Sequence, residues 1–350
     1  MSRREILLRA NPGYLPDIEK SFQLAQQEET GGVSQYWEHH RALAGFEVVD
    51  AREGLVRIRG ESGFYFPGRS YSTLEWINTL DRLLWLRFQI GDMQSEPLAR
   101  QPLDFSIPAG RKGSSRFGYP FPGRRTTYDY LRAQYHLASL APHLPEEIRE
   151  GRERLISIEI GPGTGLLMLA VKQLIPNSTL VLVDLPEILP FSSLFLTTVM
   201  PERKFLFLNQ YEAQRGHWMD YDFVFLPPAV APQLPSRSFH LALNTDSMQE
   251  MNLSTIREYF QLIRRLLKPS SLFYSSNRRE KWIGNENTRL ADYPYTADDS
   301  DLFSRENAFM RHRWIWKKFH YRIPYPWREP RKDGEVVIQK LTALRTNTVD

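Results

Sequence analysis

The chain of 350 residues contains no cysteine. That excludes disulfides, thiolate metal sites and cysteine nucleophiles. With them goes the pyrimidine C5-methylation route, which needs a cysteine adduct. No run of about 18 apolar residues occurs, so no transmembrane helix is expected. The start, Met1-Ser-Arg-Arg-Glu-Ile-Leu-Leu-Arg, has charge but lacks the apolar core of a signal peptide, and a cytoplasmic setting is expected. A dominant charge is missing too: 45 basic residues against 41 acidic ones leave +4, which is no nucleic-acid footprint by itself. The basic residues are unevenly spread, with Arg111, Lys112, Arg116, Arg124 and Arg125 in one set and Arg311, Arg313, Lys317, Lys318 and Arg322 in another. They read as solvated faces or as a rim for a phosphorylated or nucleotide-linked substrate.

What is present is concentrated in Leu155-Ile-Ser-Ile-Glu159-Ile-Gly161-Pro162-Gly163-Thr164-Gly165-Leu-Leu. Ile156, Ile158 and Ile160 are β-branched, as a buried strand prefers. Three glycines then permit a sharp turn and a close backbone approach to a ligand. From Leu166 the apolar residues Leu167, Leu169, Ala170, Val171 and Leu174 give a helix face, and Pro176 follows its end. A ligand at such a turn meets the free N–H groups of the helix start.

Two cofactor classes use a strand–glycine turn–helix. The dinucleotide fingerprint is G-x-G-x-x-G; here Leu166 stands where its third glycine belongs, and Gly165 comes one position early. The E-x-G-x-G-x-G pattern beginning at Glu159 resembles the first motif of the S-adenosylmethionine (SAM) methyltransferases. That resemblance implies room for the methionine part of SAM at the glycines and an acid near its ammonium. A second apolar strand, Leu180-Val-Leu-Val, ends in Asp184, 19 positions after Gly165. A carboxylate there can accept both ribose hydroxyls of an adenosine cofactor. NAD would use the same acid, so the glycine spacing decides for SAM.

The expected architecture is α/β: a Rossmann-like class I methyltransferase sheet of five parallel strands plus a terminal antiparallel pair, with a mainly helical N-terminal region. Residues 1–125 form that region, as a substrate cap or oligomerisation element, and 126–350 the methyltransferase domain. Residues 1–45 read as helical, followed by a hairpin of Phe46–Val49 and Leu55–Arg59. Ser72-Thr-Leu-Glu75 is a capping box opening a helix to Ile90. Its wide apolar surface is buried within the chain or makes a homodimer contact. Residues 91–125 read as a long loop, and Thr126 caps a helix to about Leu140 whose Tyr128 either touches the cofactor or packs. The third strand is Phe205–Leu208 or Phe223–Leu226, with the second preferred; the fourth is Phe239–Asn244 and the fifth Leu272–Ser276. Residues 278–307 read as a lid or a surface loop, and Trp316–Ile323 with Glu335–Leu341 as the terminal pair.

In an open parallel sheet ligands bind beyond the carboxyl ends of the strands. The fourth strand ends in Asn244-Thr245-Asp246-Ser247-Met-Gln-Glu250-Met251 and the fifth in Tyr274-Ser-Ser-Asn277. With Asp184-Leu185-Pro-Glu187 and Tyr36-Trp37, these resemble the bacterial sugar O-methyltransferase family, over roughly residues 120–345. The resemblance implies SAM as cofactor, S-adenosylhomocysteine as product, and transfer to a hydroxyl of a sugar or sugar-containing metabolite. SAM is then expected on Glu159, Gly161, Pro162, Gly163, Thr164, Gly165, Asp184, Leu185, Leu226, Pro227, Asn244 and Thr245, and the acceptor near Ser247 and Asn277.

An alkyl hydroxyl needs a base, or a metal that acidifies it. Glu250 is the first choice, with capping of the following helix as its structural alternative. Asp246 is the base, or half of a metal site with Glu250; otherwise no metal site is expected. His312, His320 and His217 are the histidine candidates. Nucleic-acid amino methyltransferases often carry (D/N)-P-P-(Y/F) at the fourth strand; Leu226-Pro-Pro-Ala229 is a poor copy, the fourth strand ends Asn244-Thr-Asp-Ser instead, and a small-molecule acceptor is expected. An O, N or C atom of a peptide or polyketide product is the alternative acceptor, and a non-catalytic methyltransferase-like partner the alternative role.

Overall fold

The computed structural model describes residues 4–27, 45–60, 119–121, 124–283, 286–318 and 324–345. The chain begins with strand β1 (Arg4–Arg9), helix α1 (Leu15–Ala25) and the hairpin β2 (Gly45–Asp50) and β3 (Leu55–Gly60). The expected hairpin is present, but Arg4–Arg9 is a strand where a helix was expected. It pairs antiparallel with β3, which supplies the backbone partners, and Leu8 is buried with Val56 and Ile58. Tyr14, just before α1, meets Phe205 edge-on at 5.1 Å, and the Asn11 amide donates to the Thr197 carbonyl at 3.3 Å. The expected Ser72–Ile90 helix and most of the 91–125 loop lie outside the described residues.

A short hairpin, β4 (Tyr119–Phe121) and β5 (Arg124–Thr126), leads into helix α2 (Tyr128–Leu140), and the four-residue helix α3 (Glu146–Arg149) follows. Thr127 caps α2, its Oγ1 accepting from the Tyr130 N–H at 3.0 Å. This is the helix expected from Thr126, but its cap is one residue later, because Thr126 ends β5. Its buried residues include Tyr130, Leu131, Tyr135 and Leu137.

From Leu155 strands and helices alternate: β6 (Leu155–Ile160), α4 (Leu166–Leu174), β7 (Ser178–Val183), α5 (Leu189–Val199), β8 (Phe205–Leu206), α6 (Leu208–Gln214), β9 (Phe223–Leu226), β10 (Phe239–Thr245), α7 (Leu253–Leu266) and β11 (Leu267–Arg278). Asn252 caps α7, accepting from Thr255 N–H at 2.9 Å. Then come the hairpin β12 (Glu280–Ile283) and β13 (Glu286–Arg289), strand β14 (Ser300–Glu306), the hairpin β15 (His312–Lys318) and β16 (Pro324–Pro330), and β17 (Val337–Ala343).

Eight strands form one sheet in the order β14-β17-β11-β10-β6-β7-β9-β8. All run parallel except β17, which is antiparallel to both neighbours. Every residue of β6 and β7 is buried, as central strands covered on both faces require. This is a Rossmann-like α/β sheet with the expected antiparallel end. Both candidate third strands exist: β9 lies beside β7, and β8 is the edge beyond it.

The partner of the terminal strand differs from expectation. It is Ser300–Glu306, within the segment read as a lid or loop, and not Trp316–Ile323. Five of its seven residues are polar or charged because an edge strand shows one side to water. The aromatic residues from His312 onward pair instead with Pro324–Pro330 in a separate two-stranded ribbon.

Candidate active site

The turn between β6 and α4 holds three glycines in the left-handed region, with φ of 71° at Gly161, 57° at Gly163 and 77° at Gly165. A side chain is excluded at Gly161, where a Cβ would lie 2.2 Å from Ser247 Oγ. At Gly163 nothing lies within 4 Å of a Cβ position. That glycine faces open space, and its N–H points to Asp184, whose Oδ2 accepts at 2.9 Å. The turn thus bridges the ends of the first and second strands of the α/β unit, β6 and β7.

Two buried carboxylates lie beneath the turn. Asp184 is 8% exposed and also accepts the Leu185 N–H at 2.8 Å. Burial pushes its carboxyl up to about 7, the two backbone N–H groups hold it down, and the nearby Glu250 and Glu187 charges raise it again. Glu159 is 1% exposed and pushed up to about 8, first by burial and then by the Asp184 charge. Thr245 Oγ1 donates to its Oε1 at 3.4 Å, while Oε2 is buried with no hydrogen-bond partner. An orphaned carboxylate oxygen of this kind is costly. A ligand ammonium would supply what it lacks. Each Asp184 oxygen retains a second lone pair for a ribose hydroxyl. The residues therefore fit an adenosine cofactor that carries an amino group.

The remaining residues expected on the cofactor are placed as follows. Pro162 and Thr164 are half-buried in the turn, and Leu185 follows Asp184 in the loop after β7. Leu226 is buried at the end of β9, and the Pro227 carbonyl accepts from the Val230 N–H at 3.1 Å in a turn. Tyr128 is the first residue of α2, and its side chain lies outside the described ones.

Asn244, Ser247 and Asn277 are bonded to one another's segments. Asn244 Nδ2 donates to the Ile160 carbonyl at 2.9 Å and to Ser247 Oγ at 2.6 Å. Ser247 Oγ donates to the same carbonyl at 3.0 Å, and Asn277 Nδ2 donates to Asn244 Oδ1 at 2.8 Å. Asn277 Oδ1 accepts the Gln249 N–H at 3.1 Å, and Gln249 Oε1 the Arg278 N–H at 2.7 Å. These amides tie the ends of β6, β10 and β11 together and press Ser247 against Gly161.

The candidate acids are paired. Glu250 forms an ion pair with Lys281 of β12, both side chains being 15% exposed. It does not cap α7, since Asn252 does. Asp246 has φ of 60°, donates its N–H to the Ser276 carbonyl at 2.8 Å, and its carboxylate lies 2.8 Å from Arg132 Nη1 of α2. Among the described residues no three acidic or histidine side chains are grouped to hold a metal. His217 is exposed beside Asp220 at 3.6 Å. His312 lies on the β15 ribbon with its side chain outside the described ones, and His320 lies outside the described residues.

A histidine that the sequence reading passed over lies in the same region. His136 is 2% exposed, and its Nδ1 is 2.7 Å from Tyr274 Oη. Burial, with help from the Arg132 charge, lowers it to about 3, so the ring is neutral. The signal was available: Arg132, His136 and Ser139 recur at helical spacing on a helix whose neighbours are apolar.

No family model matches the chain, and no curated protein matches it. Solved structures similar to it include the YcgJ protein from Bacillus subtilis, 12% identical, covering 61% of this chain and 99% of that one, with a TM-score of 0.37. A TehB-like SAM-dependent methyltransferase from Corynebacterium glutamicum is 10% identical, with coverages of 62% and 98% and a TM-score of 0.33. Phosphoethanolamine N-methyltransferase 1 of Haemonchus contortus, in complex with phosphoethanolamine and S-adenosylhomocysteine, is 11% identical, with coverages of 62% and 44% and a TM-score of 0.32. These likenesses are remote, and the strand order described above stands on its own hydrogen-bond ladders.

Proposed function

We propose that the chain is a SAM-dependent methyltransferase whose acceptor is a hydroxyl of a sugar or sugar-containing metabolite. The observation that carries the cofactor is the orphaned Oε2 of Glu159, buried below a glycine turn that also bonds Asp184. In this reading Glu159 pairs with the ammonium of SAM, Asp184 takes the ribose hydroxyls, and Gly163 admits the ligand where a side chain would intrude. When bound, SAM would supply an electrophilic methyl on a sulfonium, which the acceptor oxygen would take as the carbon–sulfur bond breaks, leaving the electron pair on sulfur in S-adenosylhomocysteine and releasing the hydroxyl proton.

The chain's own part is to place the hydroxyl and receive that proton. Glu250 is the candidate receiver, held on the loop after β10 by Lys281. Asp246 is engaged by Arg132, so its role here is to fix α2 over the strand ends. Placement alone accounts for much of the rate in a transfer between two bound reactants. The sugar assignment rests on the family resemblance of the strand-end motifs.

Calorimetric titration with S-adenosylhomocysteine, with NADH as the competing ligand, tests the cofactor. Micromolar binding of the first and none of the second is expected; the reverse would replace methyl transfer by redox chemistry. Labelled SAM offered with pools of sugars, then of peptide and polyketide products, identifies the acceptor class. Binding without any labelled product from either pool would favour a non-catalytic role.

A further inference from the structure

Helix α2 lies over the strand ends with a polar stripe. Arg132, His136 and Ser139 are four and three residues apart, so they share one face. Arg132 reaches Asp246 at 2.8 Å, His136 reaches Tyr274 at 2.7 Å, and Ser139 Oγ, which donates to the Tyr135 carbonyl at 3.0 Å, lies 3.4 Å from Gln339 Oε1. Opposite them, Thr245, Ser276 and Gln339 are directly paired neighbours across β10, β11 and β17. Thr245 continues this row to Glu159, to which it donates. A helix normally meets a sheet through apolar side chains; here a polar row meets a polar stripe.

Two groups in this layer are buried without partners: His136 Nε2, on a residue 2% exposed, and Gln339 Nε2, on a residue with no exposure. Leaving each unsatisfied costs stability, which a ligand that bonds to both would recover. Ser139 follows His136 by three residues, about 4.5 Å along the helix, and its Oγ lies 3.4 Å from Gln339 Oε1, so both groups belong to the same layer. The charges here are already matched, Arg132 facing both Asp246 and Asp129, the latter at 3.2 Å.

We propose that the layer between α2 and the ends of β10, β11 and β17 is the acceptor site, and that it takes an uncharged polyhydroxylated molecule, one hydroxyl bonded to His136 Nε2 and another oxygen accepting from Gln339 Nε2. Its role as acceptor site rests on the methyltransferase reading. An amide N–H demands an acceptor, and an imidazole nitrogen demands a donor or an acceptor according to tautomer. A hydroxyl serves as either, so a polyol satisfies both groups whichever ring nitrogen carries the hydrogen. A charged ligand would enter a layer whose cation is already shared by two carboxylates.

Glycerol is a suitable probe, being small, uncharged and polyhydroxylated. With full-length protein saturated with S-adenosylhomocysteine, glycerol is expected to shift the ¹⁵N resonance of His136 Nε2 and leave that of exposed His217 in place. Soaked crystals should show glycerol oxygens on both His136 and Gln339, and that occupancy should be lost in Gln339→Met while S-adenosylhomocysteine affinity changes less than about twofold. An unmoved resonance at saturating glycerol, or a lone water bridging the two groups in its presence, would overturn the proposal. Failure of the wild-type protein to bind S-adenosylhomocysteine would instead overturn the cofactor reading, and the glycerol shift can be read without it. If Gln339→Met does not fold, the wild-type resonance and soak decide alone.

Discussion

Arg132 on α2 and Asp246 at the end of β10 lie 2.8 Å apart, and Asp246 makes that contact from a left-handed backbone with φ of 60°. Aspartate and asparagine tolerate this region better than other residues bearing a Cβ. Asp246→Asn should therefore lose the ion pair but keep the backbone. Asp246→Ala loses the pair and also bears about 1–2 kcal/mol of left-handed strain. Urea unfolding should rank wild type above Asn and Asn above Ala; equal stability of the two variants would show that the turn carries no strain.

The glycine turn separates folding from binding. Gly161→Ala would drive a Cβ into Ser247 at φ 71° and should unfold the chain or cost several kcal/mol. Gly163→Ala meets no atom and bears only the backbone strain, about 1–2 kcal/mol. It should fold, yet bind S-adenosylhomocysteine at least about tenfold more weakly, a loss of about 1.4 kcal/mol. Unchanged affinity in folded Gly163→Ala would move the cofactor away from this turn.

The buried acids predict a pH dependence. Glu159 and Asp184 hold their protons more tightly in the folded chain than in an unfolded one. That contribution to stability is complete below the ordinary carboxylate range and is lost as pH rises through about 7 for Asp184 and about 8 for Glu159. The melting temperature of the ligand-free protein should fall over this interval, and Glu159→Gln should flatten the fall. A ligand ammonium favours the ionised pair, so binding near neutral pH should release protons, read as a buffer-dependent enthalpy. A melting temperature that rises over the interval would contradict the burial of these groups.

Two carboxylate variants divide the site. Asp184→Ala removes the acceptor of the Gly163 and Leu185 N–H groups and should weaken S-adenosylhomocysteine binding strongly while the protein still melts cooperatively. Glu250→Gln should spare that binding and abolish turnover of whichever pool is methylated. Full activity in Glu250→Gln would remove it as the base.

The sheet was legible where strands are buried on both faces. Ile156, Ile158 and Ile160 alternate along the first strand and Leu180 to Val183 is a continuous apolar run, and a turn or proline bounds each. Edge strands hide better: Ser300–Glu306 reads as loop because water covers one side of it. Arg4–Arg9 reads as helix because its charges mask a strand that only β3 makes stable. At the site, the glycines, Glu159 and Asp184 were readable because each spacing has a backbone reason. Asn244, Ser247 and Asn277 were recognisable as a pattern, but only the three-dimensional network shows their polar atoms bonded to one another. His136 was hidden among helix residues, since its partner Tyr274 is 138 positions away.

The position of β17 has a consequence for synthesis. β17 is late in the chain, yet it belongs between β11 and β14 rather than at an edge. Until residues 337–343 emerge from the ribosome, β11 and β14 each present a row of unpaired backbone groups, ready templates for another nascent chain. A translation stop before this strand leaves two sticky edges where a finished molecule has a paired strand. Low expression temperature and slow initiation should therefore raise the yield of folded protein more than codon changes near the start.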